Sequence, residues 1–265
     1  MKGIHLENKS LVIIGGTTGI GLSAAAAFIE SGARVVIVGK DDASSYAAQT
    51  RLGKKAIAIQ GDAVEEGTAT NAIGLCHNEF GGFDGLYHVA GGSGRQVGDG
   101  PLHELSLDGW NKTLALNLTS LMLSNRAAIN YLLNRKKPGT ILNMGSVLAT
   151  SPSSQYFTTH AYAAAKSAVI GFSKSIASYY AKHNIRINVI APGLIETPMA
   201  QRAAGDKAIM SFTTTKQPLD GGRIGRPDDL DGLAVYFMSE ASKFTTGQVV
   251  AVDGAWSVSD GQINE

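Results

Sequence analysis

The sequence predicts an α/β protein built on a doubly wound parallel sheet of about seven strands, with helices on both faces. Three observations carry that reading. Short apolar runs alternate with helical patterns along almost the whole chain. A glycine-rich turn, Gly15 to Gly21, separates the first apolar run from an alanine-rich helical stretch. The polar motifs fall at or just beyond the ends of apolar runs, where ligands of such sheets bind.

Strands are expected over 11–14, 34–38, 56–59, 85–90, 140–144, 185–191 and 248–252, and helices over 21–30, 43–52, 65–80, 107–133, 161–182 and 227–238. No Pro/Gly/Ser-rich linker or charge run divides the 265 residues, so one domain over 1–265 is expected. The net charge of +1 gives no reason to expect a nucleic-acid or anionic-membrane partner. Cys76 is the only cysteine, which excludes an intrachain disulfide, and no metal-ligand spacing surrounds it. The first nine residues lack the apolar core of a signal peptide and no run approaches a membrane span, so a cytoplasmic protein is expected.

The turn Gly15-Gly16-Thr17-Thr18-Gly19-Ile20-Gly21 places unpaired N–H groups at a helix start, a phosphate-binding arrangement. Its spacing is G-x-x-x-G-x-G rather than the commoner dinucleotide G-x-G-x-x-G. After the second strand, Gly39-Lys40-Asp41-Asp42 stands where an acidic residue would read a ribose 2′-hydroxyl. That turn is either such a reader or a solvated helix start. Asp62, beside Ala63, either accepts from an adenine amino group or caps the next helix. Ala90-Gly91 closes the fourth strand, where His88 reads as a packed strand residue and Arg95 either as a holder of a substrate carboxylate or as a solvated loop arginine. Asn117 sits mid-helix, a mildly unfavourable place for it.

Ser146 ends the fifth strand, and Tyr162 and Lys166 follow at i, i+4 spacing on one helical face. An ammonium beside a phenol favours the phenolate, and a phenol so tuned exchanges protons with a carbonyl or alcohol oxygen. A surface Tyr–Lys pair is the bland alternative.

Together these motifs resemble the short-chain dehydrogenase/reductase family, a single-domain Rossmann-like fold, over essentially the whole chain. Gly15, Gly19 and Gly21 match its TGxxxGIG turn, with Ile14 in place of Thr. Ala90-Gly91 match the end of NNAG, with His88-Val89 in place of the asparagines. Asn117, Ser146, Tyr162 and Lys166 match its catalytic tetrad, and Pro192-Gly193 and Thr197 its PGxxxT segment. Thr246-Gly247 and Val252-Asp253-Gly254 match the last strand, with Ala255 where a second Gly is frequent.

The resemblance implies an oxidoreductase moving hydride between a nicotinamide cofactor and a carbonyl/alcohol pair, without a metal. Tyr162 would be the acid/base and Lys166 would hold the nicotinamide ribose and lower the Tyr162 pKa. Ser146 would orient the substrate oxygen, Asn117 a relay water, and Thr197 the carboxamide. Gly15, Thr17, Thr18, Gly19, Ile20, Gly21, Gly39, Lys40, Asp62, Ala63, Ala90, Gly91, Pro192, Gly193, Ile195 and Thr197 would, with Tyr162 and Lys166, bind the cofactor. Gly39 followed by Lys40 points to NADP(H) over NAD(H), with space left at Gly39 for a 2′-phosphate. The resemblance also implies a homotetramer, a small-molecule carbonyl or alcohol substrate, a lid over 198–222 and a site mouth at 151–160. A cofactor-binding regulator without turnover, a structural subunit and an NAD(H)-dependent alcohol or sugar dehydrogenase are the competing readings.

Overall fold

A computed structural model describes residues 5–261. The ends of the expected 1–265 span, and the first four residues of the segment read for a leader, lie outside the described residues. Seven strands form one parallel sheet in the order β3-β2-β1-β4-β5-β6-β7. They are β1 (Ser10–Ile14), β2 (Arg34–Gly39), β3 (Ala56–Gln60), β4 (Gly85–His88), β5 (Gly139–Met144), β6 (Ile185–Pro192) and β7 (Val249–Val252). The order reverses between β1 and β4, which pair with Leu11 opposite Gly85 and Ile14 opposite His88. That reversal opens a crevice beyond the carboxyl ends of the two strands.

Strand periodicity sends alternate residues to opposite cores. Leu11 and Ile13 join Phe28 of α1 (Gly19–Glu30) and Leu230, Ala234 and Phe237 near α9 (Asp231–Met238). Val12 and Ile14 pack instead with Ala72 and Ile73 of α3 (Glu66–Phe80) and Ile129 and Leu132 of α5 (Ser120–Asn134). Every residue of β1 is buried, and each such Val, Leu or Ile contributes about 1.5–3 kcal/mol relative to exposure. The remaining helices are α2 (Asp42–Leu52), α4 (Leu107–Leu114), α6 (His160–Tyr180), α7 (Gln201–Ala204) and α8 (Lys207–Lys216).

The boundaries differ from expectation where hydrogen bonding decides them. β4 stops at His88, short of 90, because the Val89 and Ala90 amides both donate to the Ile14 carbonyl and the ladder ends there. The helix expected over 107–133 is interrupted between α4 and α5 by a π turn at Ala115–Thr119, which contains Asn117. The segment 198–222 contains α7 and α8, the latter capped by the Asp206 carboxylate accepting from the Ala208 and Ile209 amides. Cys76 is buried, donates to the Gly82 carbonyl, and burial pushes its thiol up to about 12. No helix among the described residues is long and apolar enough to cross a membrane.

His88 is fully buried on β4, as expected of a packed strand residue. Its Nδ1 lies 2.8 Å from the Ser124 hydroxyl and its Nε2 3.4 Å from that of Ser120. Burial first, and the Lys166 charge second, push its pKa down to about 3, so the folded chain holds a neutral imidazole. Unfolded, the same ring takes up a proton below its ordinary value of 6.5. The unfolded state then binds more protons, and His88 lowers stability as pH falls from about 6.5 towards 3. Thermal melts at pH 7 and pH 5 should therefore show a larger loss of Tm in wild type than in His88→Asn. An equal loss would show that His88 is not the group responsible.

Candidate active site

A cavity of about 410 Å³ lies beyond the carboxyl ends of the strands, lined by Gly15, Thr18, Gly19 and Ile20 on one side and Ser146, Tyr162 and Lys166 on the other. Ala90, Gly91, Asn117, Pro192, Gly193, Ile195 and Thr197 complete the part expected from the sequence. At Gly15, φ is +85° and an added Cβ would stand 2.6 Å from the Ala90 nitrogen, so the turn closes only without a side chain. Thr18 occupies the N-cap of α1 but makes no side-chain cap bond, and the first turn carries no acid. The helix start thus presents free N–H donors and its positive end to the cavity, which suits a pyrophosphate. The residues present fit a dinucleotide.

Tyr162 opens α6, and its position is fixed from a distant loop. The Asp99 carboxylate accepts from the Ala161 amide through one oxygen (3.0 Å) and from the Tyr162 amide through the other (2.8 Å). One helical turn on, Lys166 is buried, donates to the Met144 carbonyl at 2.9 Å, and lies 5.6 Å from the centre of the Tyr162 ring. Burial lowers the Lys166 pKa to about 8. The expectation that Tyr162 is shifted downwards is not met in the chain alone. Burial of the phenol is the largest influence and raises its pKa, while Ser146 acts in the opposite direction. Tyr162 is therefore held protonated, as a proton donor must be.

Ser146 follows β5, is buried, and accepts from the Leu148 amide at 3.2 Å. Asn117 is fully buried in the π turn. Its Oδ1 accepts from the Gly92 amide (3.1 Å) and its Nδ2 donates to the carbonyls of Gly92 (2.8 Å) and Thr113 (3.0 Å). The side chain thus clamps the loop after β4 to the helix layer.

A profile described as "Enoyl-(Acyl carrier protein) reductase" matches residues 15–257. A 2,5-dichloro-2,5-cyclohexadiene-1,4-diol dehydrogenase of Sphingobium indicum is 32% identical over 257 residues, spanning 96% of this chain and 98% of the relative. A 2-(S)-hydroxypropyl-CoM dehydrogenase of Xanthobacter autotrophicus is 31% identical, over 94% of this chain and 97% of its own. A short-chain type dehydrogenase/reductase of Mycobacterium ulcerans superposes with a TM-score of 0.88 at 27% identity, covering 96% of this chain and 92% of that one. The chain belongs to the short-chain dehydrogenase/reductase family. It is accordingly an oxidoreductase of alcohol and carbonyl groups that uses a nicotinamide dinucleotide.

Not every residue expected at a short-chain dehydrogenase/reductase cofactor site lines this cavity. Gly21 is buried against the Gly15 carbonyl, and Thr17, Gly39, Lys40, Asp62 and Ala63 lie outside it, towards the ends of β2 and β3. The space expected above Gly39 is filled. A Cβ there would fall 2.2 Å from the Thr17 hydroxyl, which itself touches Ser44 at 3.2 Å. Lys40 pairs with Asp62 at 2.7 Å, which lowers the Asp62 pKa. Asp62 also accepts from the Val64 amide, so it caps a turn rather than α3, which begins at Glu66.

Phe157 falls in the mouth expected over 151–160 and Gln217 in the lid expected over 198–222, whereas Trp256 and Asp99 gave no sequence signal. Phe157 and Trp256 line the cavity, with rings 5.5 Å apart, and Trp256 donates to the Ser151 carbonyl. Gln217, buried, exchanges hydrogen bonds with the Leu194 amide and carbonyl and so anchors the segment after β6. Arg95 is half-buried and lines the cavity, which goes against the solvated-loop alternative for it. Asp99 is the least legible, since its partners are 62 and 63 residues away. Asp99→Ala removes a helix cap and should cost about 1–2 kcal/mol in denaturant melts. Asp99→Asn keeps one acceptor oxygen and should recover part of that loss; no recovery would indicate that capping is not the role.

Proposed function

We propose that the chain transfers hydride between NADP(H) and a carbonyl/alcohol substrate, with Tyr162 as general acid/base. The observation that carries this is the Ser146–Tyr162–Lys166 group, with Ser146 and Lys166 buried and Tyr162 half-buried, lining the same cavity as an uncapped helix start. A regulator without turnover has no use for that group.

Nicotinamide supplies and accepts the hydride when bound. The N–H groups at the start of α1 would hold its pyrophosphate, and Lys166, at the cavity wall, its ribose. Thr197, whose methyl group stands 3.1 Å from the place of a Gly19 Cβ, closes the nicotinamide side with Pro192, Gly193 and Ile195. Ser146 would donate to the substrate oxygen, and the protonated Tyr162 would give that oxygen its proton as charge develops on it. In oxidation the Tyr162 phenolate would take the proton from the alcohol, with the neighbouring Lys166 ammonium stabilising the phenolate. The 198–222 segment supplies Met199, Ala200, Arg202 and Ala203 to the cavity, the part expected of a lid.

Two features support NADP(H) over NAD(H). No carboxylate ends β2, because Thr17 leaves no room for a side chain at 39. The Asp41 carboxylate is turned to the Ser44 amide as the cap of α2. Lys40 is mostly exposed, and its surface pair with Asp62 is worth about 0–1 kcal/mol. A charge-assisted bond to a 2′-phosphate, about 1.5–3 kcal/mol, outweighs that pair. A homotetramer would form through the two long helical segments, 107–133 and 161–182, and the last strand region, where the edge of β7 and Phe244 are exposed.

Tyr162→Phe should lower kcat by about 10²–10⁴ or more while cofactor Kd stays near wild type. Near-normal carbonyl reduction in that variant would overturn the assignment. For the cofactor, kcat/KM should favour NADPH in wild type, and Lys40→Ala should erode the preference by about tenfold or more. Gly39→Asp should turn the preference towards NADH only when Thr17→Gly is made with it. Equal use of both cofactors by wild type would refute the preference.

A further inference from the structure

The cavity contains a second polar centre that the chemistry above does not use. Arg95 stands in a single helical turn after β4, and Arg202 lies on α7. Though 107 residues apart in sequence, they meet at one point. A guanidinium nitrogen of Arg95 donates to the Tyr156 carbonyl at 3.1 Å, and one of Arg202 donates to the same carbonyl at 3.2 Å. Both side chains line the cavity that holds Ser146 and Tyr162.

Among the described residues no carboxylate lies within salt-bridge distance of either guanidinium. The acid that acts on Arg95 is Asp99, and both its oxygens are taken by the amides that start α6. The acids of the lid segment are also engaged. Asp206 caps α8, and Asp220 pairs with Arg223 at 2.6 Å. With Arg202, Lys207 and Lys216 against Asp206 and Asp220, the 198–222 segment carries a net charge of only +1, but Arg202 is the member that lines the cavity. Each guanidinium has five N–H donors and spends one on Tyr156, so both retain donors in a fork suited to an oxyanion. Among the described residues the lining includes Lys166, Arg95 and Arg202, and no Asp or Glu. The same lining includes apolar Leu148, Phe157, Met199 and Trp256.

We propose that Arg95 and Arg202 form an anion-binding subsite, so that the substrate is a ketone or secondary alcohol with a short apolar body ending in a carboxylate or sulfonate. The subsite rests on the oxidoreductase reading for where the reacting oxygen sits, at Ser146 and Tyr162. Two like charges sharing one neutral acceptor repel each other, and burial together with the Arg202 charge already lowers the Arg95 pKa. An oxyanion bridging both relieves that repulsion and gains charge-assisted hydrogen bonds. It also fixes the distance from the anionic end to the carbonyl, which selects substrates by length.

The test is kcat/KM for straight-chain oxo acids and oxoalkyl sulfonates of increasing length, each against its methyl ester, in wild type, Arg95→Gln, Arg202→Gln and the double variant. Wild type should prefer the anion at its best length by tenfold or more. The double variant should lose that preference by 10–100-fold, read as the ratio of anion to ester. Carboxylate and sulfonate series peaking at different lengths identify which anion the subsite fits. An ester turned over as well as its anion at every length, or a ratio unmoved by the double variant, overturns the subsite. Should wild type reduce none of the carbonyls, calorimetric titration of the same anions decides separately. Binding that the double variant abolishes keeps the subsite and rejects the redox reading, and no binding rejects the subsite.

Discussion

Everything at this site depends on how closely the backbones of β1 and β4 come together as they leave the sheet. The two strands pair in parallel up to Ile14 and His88, and the chain then turns away in opposite directions. Gly15 lets the first turn pass within contact of Ala90, and the Ile14 carbonyl collects the amides of both Val89 and Ala90. A side chain at 15 would drive the two loops apart. The helix start that faces a pyrophosphate and the loop that Asn117 clamps would then no longer share a crevice.

Beneath the crevice lies a buried polar layer where the family's asparagines are replaced. His88 bonds to Ser124 and stands near Ser120, both on α5. One register position across, Asn143 of β5 exchanges hydrogen bonds with Asn125 of α5 and donates to Ser173 of α6. Each of these groups would cost free energy if left unpaired, so the layer fixes both helices relative to the sheet. Lys166 reaches the same layer through the Met144 carbonyl. The helix that carries Tyr162 is thereby held at both ends of its first turns, by Asp99 at its start and by Ser173 below.

The sheet and the reactive side chains were legible because their signals are local. Short continuous apolar runs gave the strands, the glycine spacing gave the turn, and Tyr162 and Lys166 advertise one another at i, i+4. What escaped is set by tertiary contact. The π turn around Asn117 has no signature in Leu114–Ser120, since one extra residue per turn is imposed by the clamp on Gly92. Asp99, Gln217 and Arg202 act across 62, 23 and 46 residues, beyond any periodicity. The direction of the Tyr162 shift was misjudged for the same reason. Adjacency to an ammonium is visible in sequence, whereas burial, which dominates, is not. Gly39 shows the limit of reading an absent side chain as open space, because Thr17 fills it from the next turn of chain.

The charge balance of the cavity follows from the fold's own demands on its acids. Helix starts attract carboxylates, and here Asp41, Asp99 and Asp206 all serve that purpose at α2, α6 and α8. Each acid so used is withdrawn from the cavity, where the cations Lys166, Arg95 and Arg202 then stand without a carboxylate among the lining residues. Burial lowers the pKa of both Lys166 and Arg95, which is the free-energy cost of holding positive charge in a partly dry site. A ligand bearing negative charge offsets that cost, and anything that binds the folded state alone also stabilises it. The same capping that builds the helices therefore leaves the site electropositive. Binding of an anionic cofactor and consolidation of the fold become one process.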